Sequence, residues 1–456
     1  MPAALVKYMK SATVFVILNH FSSQILRLVG NLVLTRLLAP ELFGVMAFVF
    51  SIIVAIHMVS DLGVNQAVIR SHNATNAKFL KVAWSIKAIH GILIGFILII
   101  MGWALKLNQS SFLGSDSALA YSELPYVLML VSLSPIFKGF SSIRIIDYQR
   151  RMLQKEIFIL EVVSQVVSLV LMIILAYIFS NIYALAFGAI SASIINFIMS
   201  YLYLKGVKSG FCFDKIYILE IITFGKWIIV SSSTGFIVNN GDKILLGFWV
   251  SASVFGFYSI AQILSHFIKQ MVEKVMSSIY FPLFSAEVKS GNAIATIEKI
   301  YYSIRFKIDM LCCLSVGFIF SSADSIVAIL YDQRYSEVAD ILKILAFSVV
   351  WVGGQLATQL FLAYGKSKIF SHVVTYQAIV FLIITPIFYY MFGFYGVVFS
   401  VVVNPIVQYG FTCWYMKKYF FINYLKEIRG LAFIPVGMCF GVLFNYIVTL
   451  IFPKFL

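Results

Sequence analysis

Charge is scarce in this chain. Of its 456 residues only 12% are Asp, Glu, Lys or Arg, about half the share of a soluble domain. Acid is the scarcer sign, with 19 carboxylates against 34 Lys and Arg and a formal net charge of +15. Nine prolines and five cysteines exclude a proline-rich or disulfide-stapled scaffold. Cys212, Cys312, Cys313, Cys413 and Cys439 form no CxxC and have no ligand-like companions. All but Cys212 lie in or beside apolar runs, where they read as small buried hydrophobes, so neither metal nor disulfide is expected. No GxxxxGK[ST] run is present to handle ATP. No Ser-His-Asp set, paired mid-membrane carboxylates or Cys/His cluster stands at usable spacing, so covalent and metal-assisted catalysis are not expected and the chain does not read as an enzyme.

What fills the space is apolar. Hydrophobic residues make up 61% of the chain, with Phe at 43 and Tyr at 25, more than water tolerates outside a folded core. A soluble enzyme is excluded; this is an integral membrane protein. At about 20 residues per spanning helix, the apolar runs predict thirteen helices. They fall near 12–34, 42–62, 80–105, 124–143, 157–179, 182–204, 219–240, 245–268, 304–330, 338–363, 369–392, 394–416 and 430–452. The first run is too long for a signal-peptide core and lacks a small-residue cleavage site, so it is expected to remain as a helix.

The loops sort by charge. Of the 34 basic residues, 26 fall on one side, five on the other and three (Arg27, Lys87 and Lys343) within spans. Such asymmetry predicts a cytoplasmic amino terminus and, with thirteen spans, an external carboxyl terminus. It accounts for the basic balance without nucleic acid, which is not expected as a partner. External loops are short, and the longest internal connection, 269–303, contains Phe281-Pro282 and Gly291-Asn292. Chemistry is therefore confined to the bundle and its two mouths. A repeat is also visible: Leu42-Phe43-Gly44-Val45-Met46 returns as Val254-Phe255-Gly256-Phe257-Tyr258. Six spans separate the copies, as in transporters built of two parallel halves.

Leu34-Thr35-Arg36-Leu37-Leu38-Ala39-Pro40-Glu41-Leu42-Phe43-Gly44 resembles the first-helix signature of bacterial polysaccharide transporters. These are the O-antigen and exopolysaccharide flippases of the multidrug/oligosaccharidyl-lipid/polysaccharide exporter superfamily. Asp61-Leu62-Gly63-Val64-Asn65-Gln66-Ala67-Val68-Ile69-Arg70 resembles the family's end of helix 2. Asn239-Asn240-Gly241-Asp242-Lys243-Ile244-Leu245-Leu246-Gly247, with Phe255-Gly256-Phe257-Tyr258-Ser259-Ile260-Ala261, resembles its junction of helices 7 and 8. The similarity runs to about residue 416.

The resemblance implies an all-α integral membrane protein with two six-helix lobes in parallel pseudo-repeat around a central cavity. The lobes would be 1–210 and 211–416, with 417–456 an extra carboxyl-terminal helix. It further implies alternating access of an undecaprenyl-diphosphate-linked oligosaccharide, an O-antigen or exopolysaccharide unit, from the cytoplasmic to the periplasmic leaflet of the bacterial inner membrane. Expected partners are the polyprenyl-diphosphate-linked glycan, membrane lipids and other polysaccharide assembly proteins. No cofactor is expected; an ion gradient or the membrane potential would drive the cycle, with the ion left open.

Intramembrane polar residues supply the site candidates, because a charge near the bilayer centre is costly and faces protein or water. His20, Gln24, Arg27, Asn31 and Thr35 draw one stripe along helix 1. Arg27 suits a diphosphate and its amide neighbours suit sugars; the competing reading is an Arg tying helix 1 to a carboxylate. On helix 7, Ser232, Gly235, Asn239 and Asp242 share helical spacing, against the alternative of a plain external helix end. Lys87, beside His90 on helix 3, either meets substrate or snorkels to the cytoplasm. Asp61 and His57 could form a coupling site, although a cap or a pair with Arg70 explains Asp61 as well. Glu161, Gln165 and Asp309 read as bundle-stabilising groups. Trp351, Gln355 and Thr358 or Gln359 stack on sugars or serve as interhelical glue. Two rival functions remain: an exporter of drugs or small cations, which would want acidic residues at mid-depth, and a membrane glycan polymerase, which would want a sizeable external loop.

Overall fold

A computed structural model describes residues 3–108, 117–291 and 293–451. The fold is all-α, with no strand among the described residues. The helices are α1 (Ala3–Leu37), α2 (Pro40–Val59), α3 (Val64–Arg70), α4 (Ala77–Leu107), α5 (Leu124–Val131), α6 (Leu133–Phe140), α7 (Arg144–Arg150), α8 (Gln154–Phe179) and α9 (Ile182–Leu202). They continue as α10 (Lys215–Trp249), α11 (Ala252–Val275), α12 (Phe281–Lys289), α13 (Ile294–Leu330), α14 (Val338–Ala346), α15 (Gln355–Ala363), α16 (Ser367–Tyr419), α17 (Tyr424–Ile428) and α18 (Phe433–Ile451).

Ten stretches among the described residues are long and apolar enough to cross a membrane, or eleven when the bent pair Leu124–Phe140 and Arg144–Arg150 forms one span. One of the ten unites Val338 to Ala363, and α16 supplies two, because Gly393 breaks it at φ 59°. That left-handed backbone suits glycine. Polar side chains keep α11 out of this group: it carries Gln262, His266, Lys269, Gln270, Glu273 and Lys274.

The polar run at 239–243 is not a break between spans. Helix α10 runs through it for 35 residues, and the break comes at 250–251. The physical reason is that Asp242 needs no water. It is buried, and it accepts from Tyr258 Oη and from Gln262 Nε2 (2.9 Å) on α11. With this boundary the repeat sharpens. The ends of α1 and α10, Leu37 and Trp249, share the offset of the repeat. The starts of α2 and α11, Pro40 and Ala252, stand at the same offset along the chain as Leu42 and Val254.

The chain divides into two compact units, residues 1–236 with 243–252, and 237–242 with 253–456. Residues 211–236 therefore group with the first unit rather than with the lobe expected to begin at 211. In the first unit α1 and α9 pack on α8, and α4 packs on α6. The α4–α6 contact is close because two glycines meet: a Cβ on Gly91 would lie 2.8 Å from Gly139 Cα. In the second unit α18 packs along α13, where Gly317, Gly437 and Gly441 sit against backbone of the partner helix.

Candidate functional site

Helix α1 has three distinct faces. One is fastened to α8: Asn19 Nδ2 donates to Glu161 Oε2 (2.5 Å), and Gln165 Nε2 donates to Ser23 Oγ (2.9 Å). Gly30 faces the same helix at Leu169. A second face exposes Val14, Leu18, Phe21, Ile25 and Val29, all apolar and spaced as a single stripe. Such a surface suits lipid. At about 100° per residue, the stripe of His20, Gln24, Arg27, Asn31 and Thr35 lies roughly 80–160° round from Asn19, between the other two faces.

On that stripe Gln24 and Thr35 are buried and His20 is half-buried. The Asn31 amide nitrogen is buried without a hydrogen-bond partner. Arg27 is exposed and makes no hydrogen bond or ion pair with any described residue. The guanidinium is thus not tied to a carboxylate of its own bundle. Glu161, the carboxylate on the neighbouring helix, is taken by Asn19.

A second group of candidates converges within the first unit. A cavity of ≈ 280 Å³ between α2, α4 and α6 is lined by His57, Lys87, His90 and Lys138, with Gly91, Ser134 and Gly139 among its walls. Lys87 Nζ donates to Ser141 Oγ (2.6 Å) and to the Ser141 carbonyl (3.3 Å), so it reaches across α6 rather than snorkelling alone. The His57 and His90 rings meet edge to face at 5.5 Å, and His90 Nε2 bonds Ser60 Oγ at 2.7 Å. Lys138 is exposed and its ammonium has no partner among the described residues.

The other candidates stand apart from these two groups. Asp61 accepts from Gly63 N (2.8 Å), where Gly63 at φ 58° precedes α3, and takes a longer bond from Ser232 Oγ (3.5 Å). It does not pair with Arg70, which lies over the Phe224 ring at 5.1 Å. Asp242 is buried in its bonds to α11, whereas Asn239, one turn earlier, is exposed. Outside the spans, Asp214 caps α10 through Ile216 N (3.0 Å) and pairs with Lys78 at 2.7 Å. The hydrogen bond from Lys78 holds its carboxyl below the usual carboxylate range.

In the second unit Arg305 is fully buried in α13, one turn before Asp309. It pairs with Asp309 (2.6 Å) and Glu427 (3.1 Å). Tyr409 Oη donates to Glu427 Oε2 at 3.1 Å. Gln355 Nε2 donates to Glu273 Oε1 (2.9 Å), so Gln355 ties α15 to α11. Sequence reasoning missed Lys138 and Glu427. The first had a usable signal, since it lies inside the run 124–143 already read as helix. The second had none, because its partner stands far away along the chain.

Residues 33–340 match the family described as "Polysaccharide biosynthesis protein". No curated protein matches the chain. Among solved structures it is similar to "Lipid II flippase MurJ, inward closed conformation", at 15% identity and TM-score 0.67, covering 96% of this chain and 98% of that one. It is also similar to an inward-facing multidrug resistance MATE family transporter of the MOP superfamily, at 17% identity and TM-score 0.58, covering 92% and 94%. A Vibrio cholerae MATE transporter follows at 15% identity and TM-score 0.54, covering 94% and 99%. At such identities these likenesses establish the fold. The proteins are transporters and a flippase, not enzymes. With a family match across 33–340, this multi-pass membrane protein belongs to the polysaccharide biosynthesis protein family.

Proposed function

We propose that the chain is a flippase that carries an undecaprenyl-diphosphate-linked oligosaccharide, an O-antigen or exopolysaccharide unit, from the cytoplasmic to the periplasmic leaflet by alternating access. The observation that carries this reading is the contrast between Arg27 and the carboxylates. Glu161, Asp242, Glu273, Asp309 and Glu427 each accept from a protein donor, while Arg27 has no partner among the described residues. A bundle in which these acids each have a donor and the helix-1 guanidinium has no partner among the described residues is prepared for an anion. An exporter of cationic drugs would want the reverse. A guanidinium supplies paired, permanently charged donors to a diphosphate, and Gln24 and Asn31 on the same stripe supply amides for the first sugar. The repeat that sets Leu42 against Val254 sets Arg27 against Asn239, so the second copy does not duplicate the charge.

Orientation follows from the basic loops, with the amino terminus cytoplasmic and the membrane the bacterial inner one. The power source in this reading is an ion gradient or the membrane potential, because no P-loop is present. Proteoliposomes loaded with a fluorescent polyprenyl-diphosphate glycan provide the test. Inward-to-outward movement should depend on this protein and collapse when ionophores dissipate the gradients. Movement that continued unchanged without gradients would make the protein a passive scramblase, and export of a cationic dye in its place would favour the drug-exporter reading.

A further inference from the structure

Lys87 and Lys138 face the cavity between α2, α4 and α6 together with His57 and His90. Asp61 is the carboxylate whose charge reaches the histidines. Two ammonium groups against one carboxylate leave the cavity with at least one uncompensated positive charge. Asp61 is also occupied by its turn, through Gly63 N and Ser232 Oγ. Lys87 spends two donors on Ser141 and, with three in total, keeps one. Lys138 keeps all of its own, having no partner among the described residues. The space of ≈ 280 Å³ far exceeds the ~10–15 Å³ that one water needs, so a polyatomic anion fits.

The geometry is built rather than incidental. Gly91 and Gly139 allow α4 and α6 to approach until a Cβ on either would clash with the other's backbone. That approach brings Lys87 within reach of Ser141 and puts Lys87 and Lys138 on the same cavity. The Ser60 bond at 2.7 Å fixes the His90 ring beside them. The cavity lies against the last turns of α2, at Ile53 to Met58, and the middle of α4, at Lys87 to Ile94.

We propose that this cavity is a second anion site that takes the phosphate groups of a diphosphate-headed lipid, separate from Arg27. The binding claim stands alone; the assignment of the anion to the transported lipid rests on the flippase reading. Lys138 and the free donor of Lys87 would hold phosphate oxygens by charge-assisted bonds, and the histidine N–H groups would complete the shell.

The test is calorimetric titration of the full chain in uncharged detergent with inorganic pyrophosphate, geranylgeranyl diphosphate and phosphatidylglycerol. The Arg27→Ala background removes the other anchor, so the titration reads this cavity alone and does not depend on whether Arg27 serves transport. In that background both diphosphates should bind. Lys138→Gln, which alters an unpartnered exposed side chain, should weaken them about tenfold or more. Lys138→Arg should stay within about threefold, since the charge is kept. Binding unaffected by Lys138→Gln, or no diphosphate binding by the folded Arg27→Ala protein, overturns the site. Phosphatidylglycerol binding that requires Lys138 while the diphosphates do not bind overturns the diphosphate assignment in favour of a bilayer headgroup.

Discussion

Asn19 gives its side-chain amide to Glu161 at 2.5 Å, and that bond sets how α1 is rotated about its own axis. With Ser23 held by Gln165 one turn on, the α8-facing side of α1 is fixed. The apolar stripe from Val14 to Val29 is then left to lipid, and Arg27 falls between the two faces.

Removing the Glu161 side chain should therefore loosen α1 without touching the stripe. Glu161→Ala is expected to cost about 1.5–3 kcal/mol, the usual range for a hydrogen bond to a charged group. Glu161→Gln should recover most of it, because the amide oxygen still accepts from Asn19. Thermal unfolding in detergent, followed by circular dichroism, checks both. Equal melting of Glu161→Ala and the parent protein would show that the bond does not hold the helix.

The buried cluster around Arg305 makes a different demand. Arg305 neutralises Asp309 and Glu427 within the second unit, beside the Tyr301 and Tyr409 hydroxyls. Arg305→Ala strands two carboxylates and is expected to destabilise by about 3–5 kcal/mol. Adding Asp309→Asn and Glu427→Gln should restore much of the loss, since no bare charge then remains buried. Expression level and melting temperature of the single and triple variants decide it; a triple variant no better than the single one would contradict the ion-pair account.

The legible part of this protein is the part written in periodicity. Apolar runs mark the helices, and α1 runs unbroken through the residues around Arg27. The repeat seen at Leu42 and Val254 returns as matching helix starts. What cannot be read is pairing across distance. Asn239 to Lys243 look like a loop because the hydroxyl and amide that satisfy Asp242 lie on α11. Asp309 is legible as a bundle-stabilising group beside Arg305, but the second carboxylate, Glu427, is not, because it folds back from far along the chain. Lys138 is legible as a charge inside the run 124–143, but only the glycine-mediated contact of α4 and α6 shows that it faces a cavity shared with Lys87.

Topology gives a test that is independent of any site. With basic residues concentrated on one side, cytoplasmic reporters fused after Lys155 and after Gly291 should both be active, and periplasmic ones silent. A periplasmic signal at either position would reverse the orientation and, with it, the direction assigned to transport.

The central claim is that Arg27 binds the diphosphate of the transported lipid, and substitution of Arg27 tests it most directly. In a host that depends on this protein for surface glycan, Arg27→Ala should abolish the glycan and leave lipid-linked intermediates on the cytoplasmic leaflet. Protein levels should stay near normal, because no ion pair among the described residues is lost. Arg27→Lys should retain partial function, since charge survives while the paired geometry does not. Normal surface glycan in Arg27→Ala would contradict the account, as would loss of the folded protein, which would show that Arg27 holds helices together rather than substrate.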